Sequence, residues 1–240
     1  MSTILITGAS HGVGKAFAVA CAQSGRFSKL ILNGGSDTAA LEDTARRVSA
    51  AGDLVCLADI GDVGDLAYVQ SLRERFGPVD TLVNNAGISR IGLLTDMSPE
   101  VWDRVLRVNV TSLYNTCHTY VPDMVSNGGG QILNVSSVWG LCGASCEVAY
   151  SASKGAVNAF TKALAKELAP SHIRVNAIAL GIIGTRMNAH LTETETAEIC
   201  DQIPAGYIAS PEDAAQAMLR LLDMPEYFNG EIVRFDGCWI

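Results

Sequence analysis

Short apolar segments and longer amphipathic segments alternate along the whole chain, and this order constrains the fold more than any other feature of the sequence. Such alternation predicts parallel strands joined by helical crossovers. Most of the short segments are continuously apolar, as expected for strands covered on both faces. The predicted strands span residues 3–7, 30–33, 54–58, 81–84, 132–136, 175–179 and 232–235. The predicted helices span residues 12–24, 37–51, 63–76, 99–125, 149–168 and 211–222. The sequence therefore predicts an α/β fold, a doubly wound (Rossmann-type) parallel sheet of about seven strands with helices on both faces.

The segment 184–207 is the longest stretch without a predicted strand. It carries four acidic residues, Glu193, Glu195, Glu198 and Asp201. A long, weakly patterned segment after a late strand is typical of a lid over a site. No repeat, low-complexity linker or change in composition divides the chain, so residues 1–240 are predicted to form one domain that includes this lid-like insertion.

The charge of the chain excludes some partners. It has 17 Lys and Arg against 25 Asp and Glu, a formal net charge of -8. Such a protein repels phosphate backbones and anionic lipid, so neither nucleic acid nor a membrane surface is an expected partner. The seven cysteines show no metal-binding spacing, and no leader or membrane-spanning run is evident. We therefore expect buried free thiols, no metal site and a cytoplasmic location.

A glycine-rich turn follows the first predicted strand and opens the first helix. It reads TGASHGVG over residues 7–14, with the spacing G-x3-G-x-G. The first Gly permits a tight bend, the second lets the backbone approach a pyrophosphate at the helix N-terminus, and the third lets helix and strand pack closely. The candidate cofactor-binding residues in this turn are Gly8, Ser10, His11, Gly12, Val13 and Gly14. A triphosphatase loop is disfavoured, because Val13 stands where that motif has Gly.

Four further motifs follow the turn. They are Asn84-Asn85-Ala86-Gly87, Asn109, Ser137 and Tyr150-x-x-x-Lys154, with Ser137 lying 13 residues before Tyr150. Together with the turn, they resemble the short-chain dehydrogenase/reductase family over essentially the whole chain. The sequence is most similar to the branch of bacterial 3-oxoacyl-acyl-carrier-protein reductases. This similarity is carried by Gly12-Val13-Gly14, Asn85-Ala86-Gly87-Ile88, Arg174-Val175-Asn176-Ala177-Ile178 and Gln202-Ile203-Pro204. The resemblance implies a nicotinamide-dependent oxidoreductase acting on C=O or CH–OH groups.

The candidate catalytic residues are Asn109, Ser137, Tyr150 and Lys154. Residues four apart on a helix share a face, so Tyr150 and Lys154 present a phenol and an ammonium together. A phenol of pKa near 10 needs a nearby cation to act as an acid or base at pH 7, and Lys154 can provide it. Tyr150 then exchanges a proton with the substrate oxygen, to which Ser137 donates a hydrogen bond. The resemblance adds that Lys154 binds the nicotinamide ribose and that Asn109 holds a water. Taken singly, each of the four residues also fits a structural role.

The adenosine end of the site bears on the choice between NADP and NAD. The second strand ends in Asn33-Gly34-Gly35-Ser36, without the carboxylate that binds the ribose 2′-hydroxyl of NAD. No Arg stands there either, and His11 occupies a turn position where NADP-dependent relatives often carry Arg or Lys. We expect NADP(H), with NAD(H) as the alternative.

The remaining candidate cofactor residues come from five segments. They are Gly35, Ser36, Asp59, Ile60, Asn85, Ala86, Gly87, Tyr150, Lys154, Ile183 and Thr185. By resemblance, Asp59 contacts the adenine, Asn85 and Gly87 line the adenosine ribose side, and Ile183 and Thr185 contact the carboxamide. Relatives usually have Pro-Gly where this chain has Leu180-Gly181, which predicts a less rigid loop on the nicotinamide side.

The expected substrate is a small carbonyl or alcohol compound, either free or linked to a carrier. The resemblance favours a 3-oxoacyl thioester on acidic acyl-carrier protein, yet no Lys or Arg lies between Arg107 and Lys154. The alternatives are a small neutral ketone, a sugar or a steroid-like alcohol, and, from another class, a catalytically silent nucleotide sensor, which the intact Tyr150 and Lys154 disfavour. The resemblance also implies a homotetramer built on helices 99–125 and 149–168. The apolar end 237–240 is expected to be buried against a neighbour.

Overall fold

A computed structural model describes residues 2–240 and contains a seven-stranded sheet. The strands are β1 (Thr3–Ile6), β2 (Lys29–Gly34), β3 (Val55–Ile60), β4 (Thr81–Asn84), β5 (Gly130–Ser137), β6 (Ile173–Leu180) and β7 (Ile232–Phe235). Their order is β3-β2-β1-β4-β5-β6-β7, and all neighbouring pairs are parallel. The order reverses between β1 and β4, so the crevice of this doubly wound sheet lies at their carboxyl ends. The predicted single-domain α/β fold is confirmed, and the strands differ from the prediction only at their ends.

Helices cover both faces of the sheet. They are α1 (Gly12–Gln23), α2 (Thr38–Ala51), α3 (Leu66–Phe76), α4 (Pro99–Leu106), α5 (Ser112–Ser126), α6 (Trp139–Cys142), α7 (Val148–Leu168), α8 (Glu193–Gln202) and α9 (Pro211–Leu222). Side-chain caps set several of their starts. The sequence predicts a helix from residue 63. The α3 helix begins instead at Leu66, because the Asp65 carboxylate accepts a hydrogen bond from the Ala67 N–H. Asp37 caps α2 in the same way, through the Ala40 N–H.

Two apolar clusters cover opposite faces of the sheet. Alternate residues of a strand point to opposite faces. Accordingly, Ile4 and Ile6 of β1 belong to one cluster together with Phe17 of α1, and Leu5 belongs to the other together with Tyr120 of α5. Each large apolar side chain that becomes fully buried stabilises the fold by roughly 1.5–3 kcal/mol. The continuous apolar character of the strands thus reflects burial on both faces.

The predicted helix 99–125 is wrong as one continuous α-helix. It is divided by a π-helical turn, Arg107–Thr111, which lies between α4 and α5. A π turn locally breaks the regular hydrogen-bond ladder and often marks a functional site. Asn109 lies in the middle of this turn and is 1% exposed. The interruption thus coincides with a predicted catalytic residue.

The lid-like segment 184–207 contains a short 3-10 turn, Arg186–Asn188, and the helix α8. Thr192 and Glu195 close the N-terminus of α8 as a reciprocal capping box. The function of the segment as a lid stays a prediction.

The structure of residues 2–240 bears on three expectations from composition, which concern membrane spans, metal sites and cysteines. None of the helices described there has the length and apolar character that a membrane span requires. Within the same residues, no group of three or more His, Cys, Asp or Glu side chains is placed to hold a metal ion. All seven cysteines are free thiols, but only Cys21 and Cys117 are buried. The expectation of burial is wrong for the other five, since Cys56, Cys146 and Cys200 are half-buried and Cys142 and Cys238 are exposed.

Candidate active site

The glycine-rich turn is held in shape by the segment that follows β4. The Thr7 Oγ1 accepts hydrogen bonds from the N–H groups of Asn85 (3.0 Å) and Ala86 (3.1 Å). The Asn85 side-chain amide donates to the carbonyls of Thr7 and Gly8, each at 3.0 Å. A Cβ on Gly14 would lie 2.4 Å from the Gly8 carbonyl oxygen, so this position has no room for a side chain. Asn85 therefore shapes the turn, and its predicted contact with ribose stays a prediction.

The surface beside this turn fits the phosphates of a dinucleotide. Ser10 is 7% exposed, and its Oγ has no hydrogen-bond partner among the described residues. This oxygen lies 2.3 Å from the place a Cβ on Gly34 would occupy, whereas a Cβ on Gly35 would meet no atom within 4 Å. The first N–H groups of α1, which begins at Gly12, have no partner within the helix and suit an anion. An orphaned hydroxyl and a helix N-terminus beside open glycines are what a phosphate group requires.

The segment after β6 lies over the turn from the other side. Ile183 is 5% exposed and pairs with Ala209 in an isolated parallel bridge. The Thr185 methyl carbon lies 3.1 Å from the place a Cβ on Gly12 would occupy. Leu180 is the last residue of β6, and its carbonyl accepts a hydrogen bond from the Val138 N–H at 2.9 Å. The predicted cofactor residues on the two sides thus face one crevice, while the predicted lower rigidity of this loop stays untested.

Three predicted catalytic residues meet at the carboxyl end of β5. Ser137 ends this strand, and Tyr150 and Lys154 lie one turn apart near the start of α7. Lys154 is 4% exposed, and its Nζ donates to the Val135 carbonyl at 2.8 Å. The same Nζ lies 5.6 Å from the centroid of the Tyr150 ring. The structure therefore brings together the phenol, ammonium and hydroxyl groups that the sequence motif predicts.

Burial favours the neutral form of each of the two titratable groups and shifts their pKa values accordingly. It raises the pKa of Tyr150 to about 12; a hydrogen bond with Ser137 opposes this shift and the Glu147 carboxylate adds to it. Burial also lowers the pKa of Lys154 to about 8. Tyr150 is therefore protonated at neutral pH, the state from which it can donate a proton to a substrate oxygen.

Asn109 joins the segment after β4 to α7 through its side chain. Its Oδ1 accepts from the Ile88 N–H at 2.8 Å, and its Nδ2 donates to the Ile88 carbonyl and the Ser153 Oγ, each at 2.9 Å. A Cβ on Gly87 would lie 3.4 Å from the Lys154 Nζ and 3.5 Å from the Asn109 Oδ1. Asn109 thus positions the surroundings of Lys154, and its predicted water contact stays a prediction.

The adenine side of the crevice contains an ion pair. Asp59 lies near the end of β3, and its carboxylate accepts hydrogen bonds from Arg75 at 2.7 and 2.8 Å and from the Tyr68 hydroxyl at 2.8 Å. Arg75 is the main cause of the lowered pKa of Asp59. Ile60, the last residue of β3, pairs with Gly34 of β2. Asp59 and Ile60 thus lie at the carboxyl end of β3, and the predicted contact of Asp59 with adenine stays a prediction.

Glu147 is a residue near the site that the sequence motifs did not predict. Its Oε2 accepts a hydrogen bond from the Ser89 hydroxyl at 2.6 Å, and the neighbouring Cys146 carbonyl accepts one from the Gly92 N–H at 2.8 Å. These bonds join the loop after β4 to the start of α7. The available signal was the position of Glu147 three residues before Tyr150, immediately before the first residue of α7.

The C-terminal residues pack against their own chain. The rings of Trp139 and Trp239 have centroids 5.0 Å apart at an angle of 55°. A Cβ on Gly237 would lie 2.8 Å from the Ile203 side chain. Trp239 thus finds an apolar partner within the chain, while Ile240 is still 37% exposed, and the expectation that this end is buried against a neighbour stays a prediction.

Comparison with known proteins agrees with this geometry. Residues 2–196 match the family described as short chain dehydrogenase. The chain is 36% identical over 243 residues to the 3-oxoacyl-[acyl-carrier-protein] reductase of Chlamydia trachomatis, covering 98% of this chain and 96% of the relative. The crystal structure of 3-oxoacyl-[acyl-carrier protein] reductase from Brucella melitensis matches with a TM-score of 0.93 and 32% identity over 100% of this chain and 91% of that one.

A second solved structure contains a cofactor. It is a putative NAD(P)-dependent gluconate 5-dehydrogenase from Beutenbergia cavernae with NADP bound at low occupancy. It matches with a TM-score of 0.91 and 32% identity, and the match covers 99% of this chain and 96% of that one. The family match, the full-length relatives and the grouping of Ser137, Tyr150 and Lys154 lead to one conclusion. The chain belongs to the short-chain dehydrogenase family, and it is an oxidoreductase that interconverts C=O and CH–OH groups with a nicotinamide cofactor.

Proposed function

We propose that this protein reduces the 3-oxo group of an acyl thioester, with NADPH as the reductant. The observation that carries the proposal is the placement of Tyr150 and Lys154 on one face of α7, beside Ser137 at the end of β5. The substrate class is supported by the 36% identical reductase, which is matched over nearly its whole length.

Each catalytic residue has a defined task in this proposal. The bound cofactor supplies a hydride to the carbonyl carbon. Tyr150 donates its proton to the substrate oxygen as that oxygen gains negative charge. The Ser137 hydroxyl donates a hydrogen bond to the same oxygen, and the Lys154 ammonium stabilises the phenolate that remains on Tyr150. The Asn109 side chain forms hydrogen bonds with both Ile88 and Ser153. It thereby joins the two segments that carry them and fixes the surroundings of Lys154.

NADPH is proposed over NADH because the end of β2 lacks a carboxylate for the ribose 2′-hydroxyl. Asn33 does not replace one, since its side-chain amide donates to the Gly61 carbonyl and the Tyr68 hydroxyl, each at 3.0 Å. The orphaned Ser10 hydroxyl offers a hydrogen bond to a phosphate oxygen. NADP is also the cofactor bound in the similar structure from Beutenbergia cavernae.

Two carriers can present this thioester, namely coenzyme A and acyl-carrier protein. An acidic acyl-carrier protein needs basic residues around the site, and the chain from 108 to 153 contains no Lys or Arg. We therefore propose the thioester as the recognised group, with coenzyme A and carrier protein as competing carriers. Equal turnover of acetoacetyl-coenzyme A and its carrier-protein counterpart would show that the carrier is not docked.

A second candidate is the oxidation of a neutral, hydroxyl-rich alcohol such as a sugar. It is favoured by the Glu147 carboxylate beside Tyr150, which can accept hydrogen bonds from substrate hydroxyl groups. Glu147→Gln should then reduce kcat/KM for polyols by roughly tenfold or more while leaving simple ketones unaffected. An equal change for both substrate classes would remove this candidate.

The proposed function is tested by following reduced nicotinamide with a panel of 3-oxoacyl thioesters, neutral ketones and sugar-like alcohols. We expect the highest kcat/KM with a thioester, and loss of turnover in Tyr150→Phe with an NADPH Kd within about twofold of wild type. Tyr227→Phe is the matched control, because Tyr227 is fully exposed. An active Tyr150→Phe would overturn the proton-transfer role. Tight NADPH binding with no turnover of any substrate would favour a nucleotide sensor.

A further inference from the structure

The side chains of His11, Asp37 and Arg186, from three separate segments, meet at the adenosine end of the crevice. The His11 Nε2 lies 3.2 Å from the Asp37 Oδ2, and the Arg186 Nη1 lies 3.1 Å from the same His11 nitrogen. The Arg186 Nη1 is also 3.7 Å from the Asp37 Oδ2. His11 belongs to the glycine-rich turn, Asp37 precedes α2, and Arg186 begins the 3-10 turn of the lid-like segment. We call these residues the His11–Asp37–Arg186 cluster.

The cluster is built so that Arg186 can exchange its partner. The Arg186 side chain is 75% exposed, and exposed ion pairs of this kind contribute little to stability. Asp37 is fixed, because its Oδ1 accepts the capping hydrogen bond from the Ala40 N–H at 3.1 Å. Only its other oxygen faces His11 and Arg186. A stronger anion can therefore take Arg186 from Asp37 without disturbing the start of α2.

Nearby cations are committed to another acid. Lys15, Arg47 and Arg46 lie 2.7, 2.9 and 3.3 Å from the carboxylate of Asp43. The hydrogen bonds from Lys15 and Arg47 lower the pKa of Asp43 to about 2. Arg186, which lies beside His11 and Asp37, is therefore a nearby cation that Asp43 does not hold.

A second observation points to a phosphate at this place. Ser10, the residue before His11, is buried with an unpartnered hydroxyl, and the space beside Gly35 is open. Asp37 lies two residues after Gly35. The Ser10 hydroxyl lies against Gly34, the residue before Gly35, and the exchangeable guanidinium of Arg186 lies beside His11, the residue after Ser10. Guanidinium groups bind phosphate with two parallel hydrogen bonds.

We propose that Arg186 is the residue that selects NADP, by binding the ribose 2′-phosphate in exchange for Asp37. This inference rests on the proposed function, since it assumes a nicotinamide dinucleotide in the crevice. Asp37 holds Arg186 in place before binding and repels the 2′-phosphate at the same time, so it limits the preference for NADP over NAD. Because Arg186 belongs to the segment 184–207, NADP orders the start of that segment and NAD does not.

The test is calorimetric measurement of Kd for NADPH and NADH with the full chain and its variants. Arg186→Gln should weaken NADPH binding roughly 10- to 100-fold and change the NADH Kd by less than about twofold. Asp37→Asn should tighten NADPH binding by roughly 3- to 10-fold, because Asn retains the helix cap and removes the competing charge. Arg46→Gln is the matched control, being 77% exposed and ion-paired with Asp43, and should change neither Kd.

Amide hydrogen exchange gives a second readout, independent of affinity. NADPH should slow exchange in residues 186–191 more than NADH does, and Arg186→Gln should abolish this difference. Equal weakening of both dinucleotides in Arg186→Gln would overturn the inference in favour of a pyrophosphate contact. Unchanged NADPH binding in that variant would reduce the cluster to a surface ion pair. If wild type binds neither dinucleotide, the proposed function fails first and the inference fails with it.

Discussion

Lys154 carries a charge at a site that is almost completely buried, and this lowers the stability of the folded chain. Its side chain is 4% exposed, and burial lowers its pKa from 10.5 to about 8. At pH 7 the lysine is charged in both the folded and the unfolded chain, so this difference corresponds to about 3 kcal/mol of lost stability. Such a cost is typical of a residue retained for its chemistry rather than for the fold.

Lys154→Met should therefore stabilise the protein while abolishing turnover. The gain is smaller than the cost of burial, because the Val135 carbonyl loses its donor, which is worth about 1 kcal/mol. We expect Tm at pH 7 to rise by roughly 4–8 °C. The gain is largest below pH 8 and disappears above pH 10.5, where lysine is neutral in both states.

The check on this prediction is thermal unfolding followed by calorimetry from pH 6 to pH 10.5, wild type against variant. Lys162→Met serves as the control, because Lys162 is an exposed residue of the same helix and should give no comparable gain. A lower Tm for Lys154→Met at pH 7 would show that the ammonium is stabilised in the folded state.

At the scale of single residues, the sequence predicted those positions whose function depends on helical spacing. Tyr150 and Lys154 lie on one face because they are four apart, and Ser137 ends a strand whose apolar run ends there. Glu147 was missed because its partner Ser89 lies 58 positions away, and no local pattern predicts that contact.

At the scale of the elements, replacing either of two helical glycines by Ala should change the stability of the fold in opposite directions. A Cβ on Gly14 would lie 2.4 Å from the Gly8 carbonyl oxygen, whereas one on Gly155 would have its nearest neighbour at 3.7 Å. Gly14→Ala must displace α1 from β1, and we expect the unfolding free energy to fall by roughly 1–3 kcal/mol with weaker NADPH binding. Gly155→Ala should raise it by roughly 0.5–1 kcal/mol. Urea unfolding of both variants measures these changes, and an equal effect of the two would contradict the packing argument.

Element types were predictable, but one interruption was not. The seven strands follow from apolar runs and the starts of α2 and α9 from their Asp37 and Ser210 caps. The π turn Arg107–Thr111 left no signal, because apolar residues continue at helical spacing on both sides of it. Its bonds depend on Ile88 and Ser153 in other elements, which only the assembled fold brings near Asn109.

At the scale of the whole molecule, α5 leaves apolar surface uncovered. Tyr114 is 51% exposed and Val125 is 45% exposed, although both lie on a helix that otherwise packs on the sheet. We expect this face to be covered in a homotetramer, with a solution mass of four times 25.3 kDa. Light scattering measures this mass, and Tyr114→Glu should lower it whereas Tyr227→Glu should not. A wild-type mass of one chain would contradict the prediction.

The bonds between Thr7 and the Asn85 segment also order events in time. They join residues 78 positions apart, so the glycine-rich turn depends on a part of the chain made much later. At synthesis rates of about 5–20 residues per second, the nascent bend waits roughly 4–16 s for its partner. We therefore expect a newly made chain to bind a dinucleotide only after β1 and β4 have paired.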